Sequence, residues 1–253
     1  MTTPLLEIRK LHKAFGKVVT ANGIDLNLEK GVLTSIIGPN GAGKSTLINM
    51  LSGSLPVDSG EILFDGRDIT QLPIHKRVRL GLCRSFQVVN VFPDLSVFDN
   101  IQIPVLAVRK RATRLFRPVS GEKETHQEVH QVLERVGLET RAHTLANALS
   151  HGDQRLLEVG IALAVRPRLL FLDEPTAGMN PVERVKVLEN IQRLSAEGKT
   201  TFVIVEHDMD IVFSLSDRVV VLHHGDIIAD GTTDEIQNSK RVREVYLGEE
   251  VME

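Results

Sequence analysis

Tryptophan is missing from these 253 residues, and tyrosine and cysteine occur once each. With Cys83 alone, no disulfide can form within the chain, and a reducing compartment fits such a composition. No apolar run approaches the roughly 18 residues that a membrane-spanning helix requires. Residues 1–10 lack the apolar centre of a secretory signal, so a cytoplasmic location is expected. A basic excess is lacking too: 30 Lys plus Arg face 33 Asp plus Glu, for a formal net charge of −3. Proteins that grip nucleic acid by its phosphates carry such an excess, so no nucleic-acid partner is expected. No internal repeat, low-complexity tract or sustained heptad pattern stands out.

What is present reads as a globular α/β chain. Hydrophobic residues make up 42% and charged residues 25%, and the length is near the upper size for one domain, so 1–253 is read as a single domain. Short, nearly all-apolar runs at 32–37, 169–172, 201–205 and 218–222 read as strands, and 45–51 reads as the helix after the first. Such strands joined by helices imply a mostly parallel sheet covered on both faces. Over 181–197, apolar residues at Val182, Val185, Leu188, Ile191 and Leu194 predict a helical stripe. Asn180 with Glu183 resembles a capping box, Pro181 suits the first helical position and Gly198 supplies the stop. The stretch 93–149 differs. It carries Arg109-Lys110-Arg111 and Glu122-Lys123-Glu124, with a helical pattern at Val129, Val132, Leu133 and Val136. It is read as a mostly helical subdomain inserted into a core made of 1–92 and 150–253. Its basic stretch, with Arg114 and Arg117, is read as a solvated helix face.

The strongest motif is Gly38-Pro39-Asn40-Gly41-Ala42-Gly43-Lys44-Ser45, a full match to the phosphate-binding pattern G-x-x-x-x-G-K-[ST]. Residues without a Cβ let backbone N–H groups turn inward around an anion. The helix that follows points its positive end, roughly half an elementary charge, at the same phosphates. Lys44 is expected to reach the β- and γ-phosphates and Ser45 to ligate Mg²⁺. Thr46 can add a hydroxyl nearer the α-phosphate.

A second signal is the apolar run 169–172 ending in Asp173-Glu174. Ligands of open α/β sheets bind at the carboxyl ends of the strands. Asp173 there suits a Mg²⁺ site, through water, and Glu174 can polarise a water for attack on the γ-phosphate. Adjacent acids also end strands in solvent for no further reason; the phosphate motif upstream decides for the chemical reading.

Together with Leu149-Ser150-His151-Gly152-Asp153-Gln154, these residues resemble the ABC-type ATPases, whose signature is Leu-Ser-Gly-Gly-Gln. The resemblance covers essentially the whole chain, with the motifs in the family's order. It implies a P-loop core with a mostly parallel sheet, an N-terminal antiparallel β portion and an inserted helical subdomain ending at the signature loop. It implies that Gln87, in Ser85-Phe86-Gln87, senses Mg²⁺ and the γ-phosphate. His207 takes the place of the switch histidine, Ala177-Gly178-Met179-Asn180 that of the D-loop, and Phe15 that of the aromatic stacking on adenine. Ser150, Gly152 and Gln154 would cap the ATP bound by a second subunit. Two departures are visible. His151 stands where the family favours glycine, Asp153 places an anion-repelling acid beside the phosphate site, and both side chains are expected to point away from the phosphate. Asn180 replaces the more usual aspartate.

The finer resemblance is to ATPase subunits of branched-chain amino-acid and related amide importers. It is carried by Arg84-Ser85-Phe86-Gln87, Glu206-His207-Asp208-Met209-Asp210, the 177–180 loop and Val245-Tyr246-Leu247-Gly248. The lipopolysaccharide-export ATPase shares the Tyr-Leu-Gly ending but more often has aspartate where this chain has Glu206. A soluble ABC ATPase acting on nucleic acid would carry tandem cassettes or a long coiled coil, and a non-hydrolysing module would lack Glu174. The importer reading implies ATP and Mg²⁺, transmembrane permease subunits, a second ATPase subunit in a homo- or heterodimer, and a periplasmic or extracellular solute-binding protein. It places the chain on the inner face of the cell membrane.

Overall fold

The computed structural model describes residues 4–85, 91–108 and 122–250. Among these, the strands form two sheets. The first is antiparallel, in the order β2-β1-β4-β5, built from β1 (Leu6–Phe15), β2 (Val18–Leu28), β4 (Ser59–Phe64) and β5 (Arg67–Asp68). The second has the order β10-β9-β3-β8-β7-β6, from β3 (Thr34–Ile37), β6 (Leu82–Arg84), β7 (Leu169–Asp173), β8 (Thr201–Val205), β9 (Arg218–His223) and β10 (Asp226–Gly231). Strands β9, β3, β8 and β7 run parallel to one another, while β10 returns antiparallel to β9.

Every residue of β3, β7 and β8 is buried, as strands covered on both faces require. Helix α1 (Lys44–Ser52) leaves the end of β3 and shares one core with both sheets: Leu6, Ile8 and Leu11 of β1 lie in the same cluster as Leu47, Ile48 and Leu51 of α1 and Phe171 of β7. Arg77, on α2 (Ile74–Leu80), is 2% exposed and donates to the carbonyls of Met50, Leu51, Thr70 and Leu72. It thereby supplies a donor to the Leu51 carbonyl at the end of α1 and a second one to Met50 O, which also accepts the Gly53 N–H. Burial pushes its guanidinium down to about 10.

The chain divides into two compact units. The described residues within Met1–Cys83, Arg168–Glu174 and Ser195–Glu253 make the first; those within Arg84–Pro167 and Pro175–Leu194 make the second. The second unit packs α3 (Val97–Val108), α4 (Glu122–Val136) and α5 (His151–Ala164) on one another. Val129, Val132, Leu133 and Val136 face inward, as their spacing predicts. A Cβ at Gly160 would stand 2.9 Å from Ile101 Cδ1, so a glycine lets α5 approach α3 closely. This unit extends on both sides of the stretch 93–149. The basic residues Arg109, Lys110, Arg111, Arg114 and Arg117 lie outside the described residues.

Helix α6 (Pro181–Ala196) begins and ends where the sequence predicts, but its stripe is different. Val182 is 80% and Val185 53% exposed, while Val187, Ile191 and Leu194 are buried. A spacing of three falls about 60° short of a full turn at each step, so five such positions cannot share one face. Asn180 Oδ1 accepts the N–H groups of Val182 and Glu183 at 3.0 Å, and its amide donates to Glu183 Oε2 at 2.9 Å. The cap is therefore present, with the reciprocal bond made side chain to side chain.

Candidate active site

The loop 38–43 is shaped by two glycines that nothing larger can replace. Gly38 has φ +155° and Gly43 φ +104°. A Cβ at Gly38 would lie 2.2 Å from Leu222 O, and one at Gly43 would lie 2.3 Å from Thr20 O. Gly43 leads into α1 without a side-chain cap. The Lys44 ammonium folds back over the loop, donating to the carbonyls of Gly38 and Pro39. Pro39 and Ala42 are buried, Thr46 is half-buried, and Asn40, Gly41 and Ser45 are exposed.

Three parallel neighbours deliver the remaining groups to one edge. Ile36 of β3 and Asp173 of β7 both register with Val205 of β8. Gly38, Glu174 and His207 therefore emerge side by side from adjacent strands, spaced about 4.8 Å per strand. Asp173 is buried at the end of β7. Glu174 follows with a left-handed backbone, φ 44°, while its N–H still donates to Val205 O at 2.9 Å. That turn is unfavourable for a residue with a Cβ, by about 1–2 kcal/mol, and it aims the carboxylate at His207, whose Nδ1 is 3.6 Å from Glu174 Oε1. The exposed His207 also lies 4.0 Å from the buried Glu206.

The β1–β2 hairpin borders the loop. Phe15 pairs with Val18 across the turn and is 51% exposed. Further along β2, the Thr20 carbonyl abuts Gly43, and Gly225, in the turn between β9 and β10, donates to Ala42 O at 3.0 Å. The aromatic and the cradle are thus parts of one packed assembly.

The second unit carries the signature residues. Ser150 caps α5, its Oγ accepting the Asp153 N–H at 3.2 Å. Gly152 N–H donates to Glu183 Oε1 at 3.3 Å, and Asp153 is drawn to Lys186 Nζ at 2.6 Å. Gln154 secures the preceding turn through Ala146 O at 3.2 Å. Gln87 lies outside the described residues.

A family model described as ABC transporter matches residues 21–177. The chain belongs to the ABC transporter family. A shorter model, branched-chain amino acid ATP-binding cassette transporter, matches residues 227–251. The chain is 38% identical to the high-affinity branched-chain amino acid transport ATP-binding protein BraF of Pseudomonas aeruginosa, covering 98% of this chain and 100% of that protein. It is 36% identical to the corresponding protein LivG of Escherichia coli over the same shares. Its fold matches the ADP conformation of MJ1267, an ATP-binding cassette of an ABC transporter, with a TM-score of 0.84 at 30% identity, covering 98% of this chain and 100% of the other.

As an ABC cassette the chain binds ATP and hydrolyses it, and the hydrolysis is coupled to transport. Among the described residues, no helix of the cassette is long and apolar enough to cross a membrane. Sequence reasoning missed Thr20 and Gly225, which shape the cradle, and Glu183 and Lys186, which hold the signature loop. These contacts join residues far apart in the chain and leave no local pattern to read.

Proposed function

We propose that the cassette energises uptake of branched-chain amino acids or closely related small solutes, as one of two ATPase subunits beneath membrane permeases. In this reading the phosphates of ATP lie in the 38–45 loop, against Lys44, Ser45 and Thr46, with the base on Phe15. The hard oxygen donors at hand, the Ser45 hydroxyl and the Asp173 carboxylate, would hold Mg²⁺. Bound there, it would neutralise charge on the phosphates.

Glu174 accepts a proton from a water as that water bonds to the γ-phosphorus. The bond from the γ-phosphorus to the bridging oxygen breaks, and ADP and phosphate result. His207 orients Glu174 and donates to the γ-phosphate. The observation that supports these roles most is the arrival of Gly38, whose carbonyl the Lys44 ammonium contacts, with Glu174 and His207 at one edge of three adjacent parallel strands. Ser150, Gly152 and Gln154 cap the nucleotide of a partner cassette, so that two ATP molecules close two subunits head to tail. Gln87 links the γ-phosphate to the helical unit. The complete system includes a solute-binding protein outside the membrane, and the cassette sits on the cytoplasmic face.

Purification of the tagged chain from gently solubilised native membranes, with mass spectrometry, tests this assignment. Permeases of many spans and a second, similar ATPase are expected. Recovery with lipid-export membrane proteins, or with ribosomes and no membrane protein, would overturn it.

A further inference from the structure

Phe15 is half exposed at the tip of the β1–β2 hairpin, so the core does not enclose its ring, and Lys13 lies two residues earlier in β1. Its Nζ stands 5.4 Å from the ring centroid, within the range at which the quadrupole of an aromatic face attracts a cation. Lys13 is only 9% exposed, and its ammonium is pinned by Asp58 Oδ1 at 2.6 Å. The other oxygen of the same carboxylate accepts the Ala14 N–H at 2.8 Å. Asp58 in turn donates its own N–H to His12 O at 3.1 Å. One acid therefore fixes both the cation against the ring and the backbone that carries the ring. It does so where the pairing of β1 with β2 shifts register, between Lys13 and Ala14. The link continues to the phosphate loop: the Lys13 carbonyl accepts from Thr20 Oγ1 at 3.2 Å, and Thr20 O abuts Gly43.

We propose that Lys13, anchored by Asp58, is a positioning residue for the nucleobase, backing Phe15 so that the ring stacks on the base of a nucleotide whose phosphates occupy the 38–45 loop. The inference rests on the stacking role given to Phe15 above. Lys13 acts through the ring and touches no phosphate. Its removal must therefore weaken ligands that carry a base and spare those that do not. Stacking tolerates any base, so the device favours a nucleoside triphosphate over bare polyphosphate more than it distinguishes adenine from guanine.

The test compares the affinities of the full chain for Mg²⁺ with ATP and for Mg²⁺ with inorganic tripolyphosphate. Lys13→Met is expected to weaken ATP about three- to fivefold, from loss of a cation–π contact, and to leave tripolyphosphate unchanged. Lys13→Arg, which keeps the cation, is expected to restore ATP binding, and Phe15→Ala to weaken ATP about tenfold. Equal loss of both ligands in Lys13→Met would overturn the proposal by showing a general effect on the loop. Unchanged ATP affinity in Lys13→Met, with a loss in Phe15→Ala, would overturn it while leaving the stacking role of Phe15 intact. Unchanged ATP affinity in both would remove the stacking role itself. Should Lys13→Met not fold, Lys13→Gln, which can still donate to Asp58 but lacks the charge, carries the same comparison.

Discussion

His207 Nδ1 stands 3.6 Å from Glu174 Oε1, at the ends of the neighbouring parallel strands β8 and β7. The left-handed backbone at Glu174 turns the chain at the end of β7, where an extended continuation would instead point that side chain to one face of the sheet. A carboxylate held this way can take a proton from water at a fixed place. A positioned general base contributes roughly 10²–10⁴ in rate. Glu174→Gln is therefore expected to lower steady-state ATP hydrolysis at least a hundredfold while ATP still binds. Hydrolysis at the parent rate would remove Glu174 from the chemistry.

Lys44 already donates to two carbonyls of its own loop, Gly38 and Pro39, so its ammonium is held where phosphates would meet it. Charge-assisted hydrogen bonds contribute about 1.5–3 kcal/mol each. Lys44→Ala is expected to weaken ATP binding by at least tenfold, measured by equilibrium titration with a fluorescent analogue. Parent-like affinity would contradict the cradle assignment.

The glycines of that loop are predicted to differ sharply in tolerance. Gly41 has φ +79° with open space around it, so Gly41→Ala meets only the left-handed backbone penalty, about 1–2 kcal/mol. At Gly43 the added methyl would also run into Thr20 O, a backbone atom that cannot step aside. Chemical denaturation should show Gly43→Ala losing clearly more stability than Gly41→Ala. Equal losses would mean that the contact with β2 is not tight.

Arg77 is expected to matter to the fold more than any surface arginine. Arg77→Met would remove the guanidinium donor from the buried Leu51 carbonyl at the end of α1, at about 1–3 kcal/mol for such a group, together with the bonds to Met50, Thr70 and Leu72. A loss of about 3 kcal/mol in urea unfolding is the expected outcome, and lysine, lacking the planar fork, should not restore it.

Acid should destabilise the cassette in a defined window. The Arg168 guanidinium holds the Asp65 carboxyl below its ordinary value of 3.8, and Lys13 and Thr70 do the same for Asp58 and Asp68. A carboxyl whose folded value is depressed contributes stability above the unfolded value, and that stability is lost as pH falls through the folded one. Asp65→Asn should therefore be less stable than the parent at pH 6, with the gap narrowing as pH falls below 3.8 toward the depressed folded value. A gap that does not narrow as pH falls below 3.8 would assign the contact to something other than charge.

The parallel sheet was legible because β7 and β8 are short and nearly all apolar, β3 ends in Ile36-Ile37, and each is followed by residues with a chemical role. The antiparallel sheet was visible only through the family resemblance. In β1, Lys10 takes a left-handed backbone, and the register shifts around it break the alternation a reader would look for. The stripe of α6 was misread because apolar residues at its start face outward. The Lys13–Asp58 pair joins residues 45 apart in the chain, and Gly152 meets Glu183 across 31. Such contacts belong to the packing and are not written in any local pattern.

The most direct test of the account is uptake of labelled leucine, isoleucine and valine by cells of the source organism whose only copy of this chain carries Glu174→Gln. The account predicts that high-affinity uptake falls to the level of cells lacking the chain, with the variant protein still present at the membrane. Uptake at the parent rate would contradict it.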